Sequence, residues 1–283
     1  ISRFTLPFIA DFITKPLASW AVIGRVDYFI SNWEKIMATL LITGANRGIG
    51  LGLVKVYLEN QWQVIASCRS PETASELMSL KEQYSDKISI IGIDVNDQTQ
   101  IDAAVQSLNG APIEVLINNA GTVEMEKYGS GAYEKVNGVP IDDPDLRKYD
   151  YQQWEDILRT NVLGPARITG SFVDNLEAAD HGVVVMITSG LASVSNTWNA
   201  GRYAYRTSKA ALNMLMRSSG EWLESLGITS VAISPGWTRT DMGGPNALNS
   251  IEESVNGVYQ VITGVSAEDG GKFLNFDGTT LPW

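Results

Sequence analysis

The stretch TLLITGANRGIGLGLVKVYLE, residues 39–59, runs from a short apolar segment through a glycine-rich turn into a second apolar pattern. TLLIT reads as a buried strand, and a helix is expected from about Gly48 to Asn60. The glycines have separate jobs in such a unit. Gly44 lets the chain turn tightly, Gly48 allows close approach of a pyrophosphate, and Gly50 permits close packing of helix on strand. The helix N-terminus then offers free N–H groups and a partial positive charge to phosphates. A glycine pattern alone is weak. Between a strand and a helix, at the front of the chain's regular structure, it points to a dinucleotide site.

Outward from this unit, apolar runs alternate with helical patterns. Strands are expected at QVIAS (63–67), ISIIGIDV (88–95), IEVLIN (113–118), GVVVMITS (182–189), ITSVAIS (228–234) and KFLNF (272–276). Helices are expected after Ser70–Pro71, over 97–108, from about Tyr151 to Glu177, and over 203–226 with Gly227 as the stop. Continuous apolar strands separated by helices predict a parallel sheet covered on both faces. Right-handed crossovers make it doubly wound. The expected architecture is a single α/β domain of the Rossmann type over residues 37–283. One segment departs from the rhythm: residues 122–150 are polar, rich in Gly and Pro, and long for a connection.

The chain has 283 residues, of which 44% are hydrophobic and 19% charged, with a formal net charge of −11. That fits a globular domain and argues against nucleic acid or an anionic membrane as the main partner. Cys68 is the one cysteine and His181 the one histidine. A disulfide within the chain, a cysteine zinc site and a Ser–His–Asp triad are therefore not expected, and neither is a metal. Residues 1–36 are aromatic and apolar but broken by Asp11, Lys15, Arg25 and Asp27. Their longest charge-free run, Pro16 to Gly24, is too short to span a bilayer. They are expected to be an N-terminal extension outside the core, with Met37 the natural start. The alternative is an amphipathic arm packed on the domain or on a membrane surface.

The segment GRYAYRTSKAALNMLM (201–216) sets Tyr205 and Lys209 one turn apart on a predicted helix, and no other lysine has a tyrosine four residues before it. Further motifs surround this pair: T-G-x-x-x-G-x-G at Thr43–Gly50, Asn118-Asn119-Ala120-Gly121, Asn161 in LRTNVLG, Ser189 after the fifth strand, and Pro235-Gly236 after the sixth. In this order they resemble the short-chain dehydrogenase/reductase family. CRSPETA, YAYRTSKAALN, PGWTRTDMGGPNA and the ending FDGTTLPW resemble the C-factor and sniffer-type carbonyl reductases within it.

The resemblance implies reduction of a carbonyl, which needs hydride on carbon and a proton on oxygen. A free phenol has a pKa near 10, and a neighbouring cation such as Lys209 is expected to lower it. Tyr205 is thus the expected general acid in reduction and base in oxidation. Ser189 would hold the substrate oxygen, with Thr188 as the competing hydroxyl. Its distance of sixteen residues from Tyr205 suggests a small insertion at VSNTWNAG. Asn161 would hold a water in a proton relay to Lys209, or serve as a helix-kink or capping amide. Lys209 would also reach the nicotinamide ribose.

Further cofactor contacts are expected from Gly44, Asn46, Arg47, Gly48, Ile49, Gly50, Val95, Ala120, Gly121, Pro235, Gly236 and Thr238. Asn118 would lie beside the cofactor or form an ordinary strand-end turn. Asp94 would meet the adenine edge or cap the helix at 97, and Thr240 would bind the carboxamide or phosphates or be a plain loop residue. The second strand ends VIASCRS, with Cys68 and Arg69 where NAD-specific relatives carry a carboxylate. Arg69, with Arg47, would meet a 2′-phosphate, so NADP(H) is the expected cofactor.

The rival class is a cofactor-binding signalling protein of C-factor type with little turnover. Nucleotide-sugar epimerisation is disfavoured by the short core and the glycine spacing. Tyr128, Tyr133, Trp198 and Trp237 are candidates for an aromatic substrate pocket. The family implies a cytoplasmic homodimer or homotetramer acting on a small carbonyl or alcohol.

Overall fold

Seven parallel strands form the central sheet in the order β3-β2-β1-β4-β7-β8-β9. They are β1 (Thr39–Thr43), β2 (Gln63–Cys68), β3 (Ile88–Gly92), β4 (Val115–Asn118), β7 (Val183–Ile187), β8 (Thr229–Ser234) and β9 (Phe273–Asn275). The computed structural model describes residues 38–124, 144–197 and 201–283, together with the backbone of two short antiparallel strands, β5 (Lys135–Val136) and β6 (Val139–Pro140). The extension 1–36, most of the 122–150 segment, and Tyr128, Tyr133 and Trp198 lie outside the described residues.

Alternation along β1 divides the core. Leu40 and Ile42 point to one face, where they meet Leu53 and Tyr57 of α1 (Gly48–Glu59), Leu77 of α2 (Ser75–Tyr84) and Val258 of the last helix. Leu41 points to the other face, with Ile101 of α3 (Gln98–Leu108), Ile168, Phe172 and Met216. All three β1 residues are fully buried, so truncating any of them to Ala should cost about 2–5 kcal/mol. The doubly wound parallel sheet in a single domain is as the sequence predicts.

Several elements differ from expectation. The long helix expected over 151–177 is broken into α4 (Tyr151–Leu158), a π-turn at Arg159–Leu163, α5 (Gly164–Ser171) and α6 (Val173–Glu177). A helix the apolar pattern did not suggest, α8 (Ile251–Thr263), packs against α1. The expected strands 88–95 and 113–118 are shorter at one end, Ile88–Gly92 and Val115–Asn118. The helix carrying Tyr205, α7, spans Tyr203–Ser225. It is entered through two left-handed residues, Gly201 (φ 89°) and Arg202 (φ 52°), and stopped at Gly227 (φ 76°).

Candidate active site

The strand order reverses between β1, which leads outward to β2 and β3, and its other neighbour β4. Ligands in such sheets bind in the crevice beyond the carboxyl ends of the strands at this switch point. The glycine-rich turn follows β1 there, and Asn118–Gly121 closes β4 beside it. Asn119 ties the two together. Its side-chain amide donates to the carbonyls of Thr43 (2.9 Å) and Gly44 (3.0 Å), and the Thr43 hydroxyl accepts from the amides of Asn119 and Ala120. The turn is packed to glycine dimensions. A Cβ on Gly44 would lie 2.9 Å from the Ala120 Cα, and one on Gly50 would lie 2.3 Å from the Gly44 carbonyl oxygen.

Gly48 differs. Its φ is +55°, but a Cβ there would meet only the Thr240 side chain, at 3.5 Å. The space above it belongs to a cavity of about 350 Å³ lined by Arg47, Gly48, Arg239, Thr240, Asp241, Gly244, Pro245 and Ile251. No side chain caps α1 at Arg47, whereas α3, α4 and α8 are capped by Asp97, Asp150 and Ser250. An open glycine cradle below uncapped first-turn N–H groups fits the phosphates of a dinucleotide. A larger cavity, about 540 Å³ against α8 and β9, contains none of the candidate residues.

The other expected cofactor residues ring this crevice unevenly. Asn46 is exposed on the turn and Ile49 is partly buried against the core. Arg69 is exposed at the end of β2. Arg47 is paired with Asp241 at 3.1 Å across the cavity. Asp94 does not cap α3. Asp97 does, accepting from Thr99 and Gln100, and the Asp94 carboxylate instead accepts from the Asn96 amide. Val95 is buried under Gly164, where a Cβ would lie 2.7 Å from the valine side chain. Asn118 turns inward to Thr169 (3.1 Å), and its carbonyl oxygen is buried without a hydrogen-bond partner among the described residues. Pro235 and Thr238 are joined by the Thr238 hydroxyl (3.0 Å). Gly236 (φ +74°) has no room for a Cβ, which would fall 2.3 Å from Asn249. The Thr240 hydroxyl accepts from the Gly243 amide (3.1 Å) while its methyl overlooks Gly48.

The four expected catalytic residues converge between β4, β7, the π-turn and α7. Lys209 is buried, and its ammonium donates to the Ile187 carbonyl at 2.8 Å. Burial away from carboxylates brings it down to about 8. Its nitrogen lies 5.9 Å from the centroid of the Tyr205 ring, and a Cβ on Gly121 would lie 3.5 Å from that nitrogen. Ser189 hydrogen-bonds the Tyr205 phenol and also accepts from the Leu191 amide at 3.1 Å. Thr188, the competing hydroxyl, is buried and directed at the Lys209 carbonyl (3.5 Å). Tyr205 does not show the lowered pKa that a nearby lysine suggests. Desolvation pushes the phenol up, against the lowering effects of the Ser189 hydrogen bond and the Arg202 charge, and Glu124 pushes it further up.

Asn161 sits in the π-turn, a form often found at functional sites. Its carbonyl oxygen accepts from the Thr122 amide (2.8 Å), and its amide group donates to the Thr122 carbonyl (2.8 Å) and to Ser208 (2.9 Å). The side chain therefore clamps the segment after β4 to α7 and does not reach Lys209 directly. Three residues outside the expected set hold this region: Asn119, Asp241 and Glu124. Asn119 was visible as a motif member. The other two act through partners far away in the chain.

The comparisons agree with this geometry. The short chain dehydrogenase family matches residues 38–250. C-signal of Myxococcus xanthus is 37% identical over 172 residues, covering 61% of this chain and 93% of its own. The NADPH-bound carbonyl reductase from chicken fatty liver superposes with a TM-score of 0.77 at 30% identity, covering 87% of this chain and 99% of its own. Carbonyl reductase Sniffer of Drosophila melanogaster gives 0.77 at 31%, covering 87% and 100%. With the strand order, the glycine cradle and the family match in agreement, the chain belongs to the short-chain dehydrogenase/reductase family, among the carbonyl reductase-like members.

Proposed function

We propose that this chain is an NADP(H)-dependent reductase of an aldehyde or ketone, with Tyr205 delivering the proton to the carbonyl oxygen. The observation that supports it most is the meeting of the Ser189 hydroxyl with the Tyr205 phenol in front of the buried Lys209, at the carboxyl end of the sheet. The dinucleotide, when bound, supplies the hydride. Gly44, Gly48 and the first turn of α1 would hold its phosphates, Lys209 would meet its nicotinamide ribose, and Arg69 and Arg47 would meet a 2′-phosphate. The chicken relative's bound NADPH is in keeping with that choice.

The protein groups work on the oxygen end of the substrate. Ser189 and Tyr205 offer two hydroxyls to one carbonyl oxygen, which orients it. Burial keeps the phenol protonated at neutral pH, as a proton donor requires. Lys209 stands behind Tyr205 to stabilise phenolate as the proton leaves. Asn161 keeps Thr122, and through it the floor of the site, in place. By family resemblance the protein is a cytoplasmic homodimer or homotetramer. Among the described residues no helix is long and apolar enough to cross a membrane.

NADPH oxidation should be measured with a panel of aldehydes and ketones, using Tyr205→Phe as control. Turnover is expected with at least one compound, cut by a factor of about 10² to 10⁴ in Tyr205→Phe with cofactor affinity nearly unchanged. The similarity to C-signal supports a second reading, a cofactor-binding signalling protein. NADPH binding without oxidation by any compound of the panel would favour it.

A further inference from the structure

Glu124, three residues beyond the Asn118–Gly121 motif, lies where the sequence gives no reason for a carboxylate. It is 8% exposed. One carboxylate oxygen accepts from the backbone amide of Tyr205 at 2.9 Å, in the first turn of α7. The other, Oε2, is buried with no hydrogen-bond partner among the described residues. No residue of α7 caps its own N-terminus; Arg202 at the cap position makes no side-chain cap bond. A carboxylate 81 residues away does that work instead. Its reach is fixed by the Asn161 clamp on Thr122, two residues earlier, which holds both the amide and the carbonyl of that residue.

We propose that Glu124 is a positioning residue for Tyr205: it fastens the first turn of α7 through the Tyr205 amide and sets a buried negative charge beside the phenol, which holds the phenol in its protonated form. This rests on Tyr205 being the proton donor. A charge at a helix N-terminus is stabilised by the free N–H groups there, so the carboxylate is tolerated without a cation of its own. In a poorly solvated site it repels phenolate and leaves neutral phenol unaffected. The charged groups that face the phenol are Arg202 and Lys209 from its own chain segment and Glu124 from across the site. β7 contributes the neutral Ser189, and the π-turn reaches α7 at Ser208 through the neutral Asn161. Of these, Glu124 alone pushes against loss of the proton.

The test is Glu124→Gln, which keeps an oxygen to accept the Tyr205 amide and removes the charge, beside Glu124→Ala, which removes both. Tyr205 ionisation is followed by ultraviolet phenolate absorbance, each protein measured against its own Tyr205→Phe counterpart, so that the readout does not depend on turnover. The Tyr205 midpoint should fall in Glu124→Gln, and the pH at which kcat/KM for alcohol oxidation rises should fall with it. Cofactor Kd should stay within about twofold, because Glu124 does not touch the glycine cradle. Turnover should be lower by at least about tenfold in Glu124→Ala and largely rescued in Glu124→Gln. An unchanged midpoint in Glu124→Gln would overturn the role whatever the turnover. A shifted midpoint in a protein that reduces no carbonyl would sustain the role of Glu124 and remove the reductase function instead.

Discussion

Arg47 in the glycine-rich turn and Asp241 in the loop after β8 hold their charged atoms 3.1 Å apart across the cavity above Gly48. Their side chains are 71% and 75% exposed, so the pair contributes only about 0.2–1 kcal/mol. A charge-assisted contact to a phosphate is worth more, about 1.5–3 kcal/mol, so Arg47 is readily drawn from Asp241 to a cofactor. Asp241→Asn removes the competitor. NADPH should bind about two- to fivefold more tightly, NADH should be unaffected, and the melting temperature should hardly move. Calorimetric titration of both dinucleotides checks this. Unchanged NADPH affinity would mean that Arg47 does not meet the 2′-phosphate.

Gly48 and Gly50 stand two residues apart in one motif and should fail in different ways. An alanine at Gly50 forces its Cβ to 2.3 Å from the Gly44 carbonyl and 2.5 Å from the Asn119 amide. The turn cannot yield without breaking the Asn119 bridge, so Gly50→Ala should lose about 3 kcal/mol or more. At Gly48 the nearest atom is a methyl at 3.5 Å, and only the positive φ penalises a side chain, at about 1–2 kcal/mol. Gly48→Ala should therefore stay folded, a few degrees less stable, while binding NADPH at least about tenfold more weakly through the methyl in the phosphate cradle. Thermal melts and cofactor titrations of the two variants separate the roles. Equal stability would contradict the packing argument.

The parts of this architecture that the sequence made legible are those carried by neighbours in the chain. β1 was readable to the residue, because Thr39–Thr43 is apolar and stops at a glycine. α8 carried a local signal that its mixed composition obscured: Ser250 and Glu253 form a capping box, each satisfying the other's backbone amide. The kink that the sequence left open as one reading of Asn161 could not be fixed from it, because one extra residue in a helical turn barely disturbs a 3.6-residue pattern and the Thr122 backbone that Asn161 holds lies 39 residues away. Glu124 and Asp241 were not legible for the same reason. Each is one acidic residue among many until the fold brings it to Tyr205 or Arg47. The lowered phenol expected from the Tyr205–Lys209 spacing also failed, since helical spacing fixes a distance and says nothing about burial.

Lys209 should make the cofactor-free protein pH-sensitive in a definite direction. Its ammonium titrates at about 8 in the folded protein against 10.5 in a free lysine. Below pH 8 both folded and unfolded chains hold the proton, and the folded state carries the cost of burying it. Between about 8 and 10.5 the folded lysine is neutral while the unfolded chain still binds the proton, so stability due to this residue rises with pH across that window. Lys209→Met removes the effect. The stability of wild type relative to Lys209→Met should therefore increase by about 1–3 kcal/mol between pH 7 and pH 10. The raised phenol of Tyr205 leaves most of that window undisturbed. Melting curves of the two proteins across this range provide the measurement, and parallel curves would show that Lys209 is not a desolvated cation.

Arg69 carries the last expectation, the choice of dinucleotide. β2 ends at Cys68, so Arg69 emerges beyond the carboxyl edge of the sheet on the strand next to β1, and it is exposed. In doubly wound folds the residue at the end of this strand meets the adenine ribose: a carboxylate there binds the 2′-hydroxyl of NAD, and an arginine accommodates the 2′-phosphate of NADP. A guanidinium can bind that phosphate through two parallel hydrogen bonds. At roughly 1.5–3 kcal/mol for such a contact, NADPH should be preferred over NADH by about ten- to a hundredfold in kcat/KM. Arg69→Ala should remove most of that preference while NADH use barely changes, because NADH has no group for the guanidinium to hold. Arg47→Ala, whose side chain must first leave Asp241, should remove a smaller part. Equal efficiency of the unmutated protein with both dinucleotides would withdraw the phosphate-binding role from both arginines, and a fall in NADH use in Arg69→Ala would show that the residue supports the fold of the β2 edge instead.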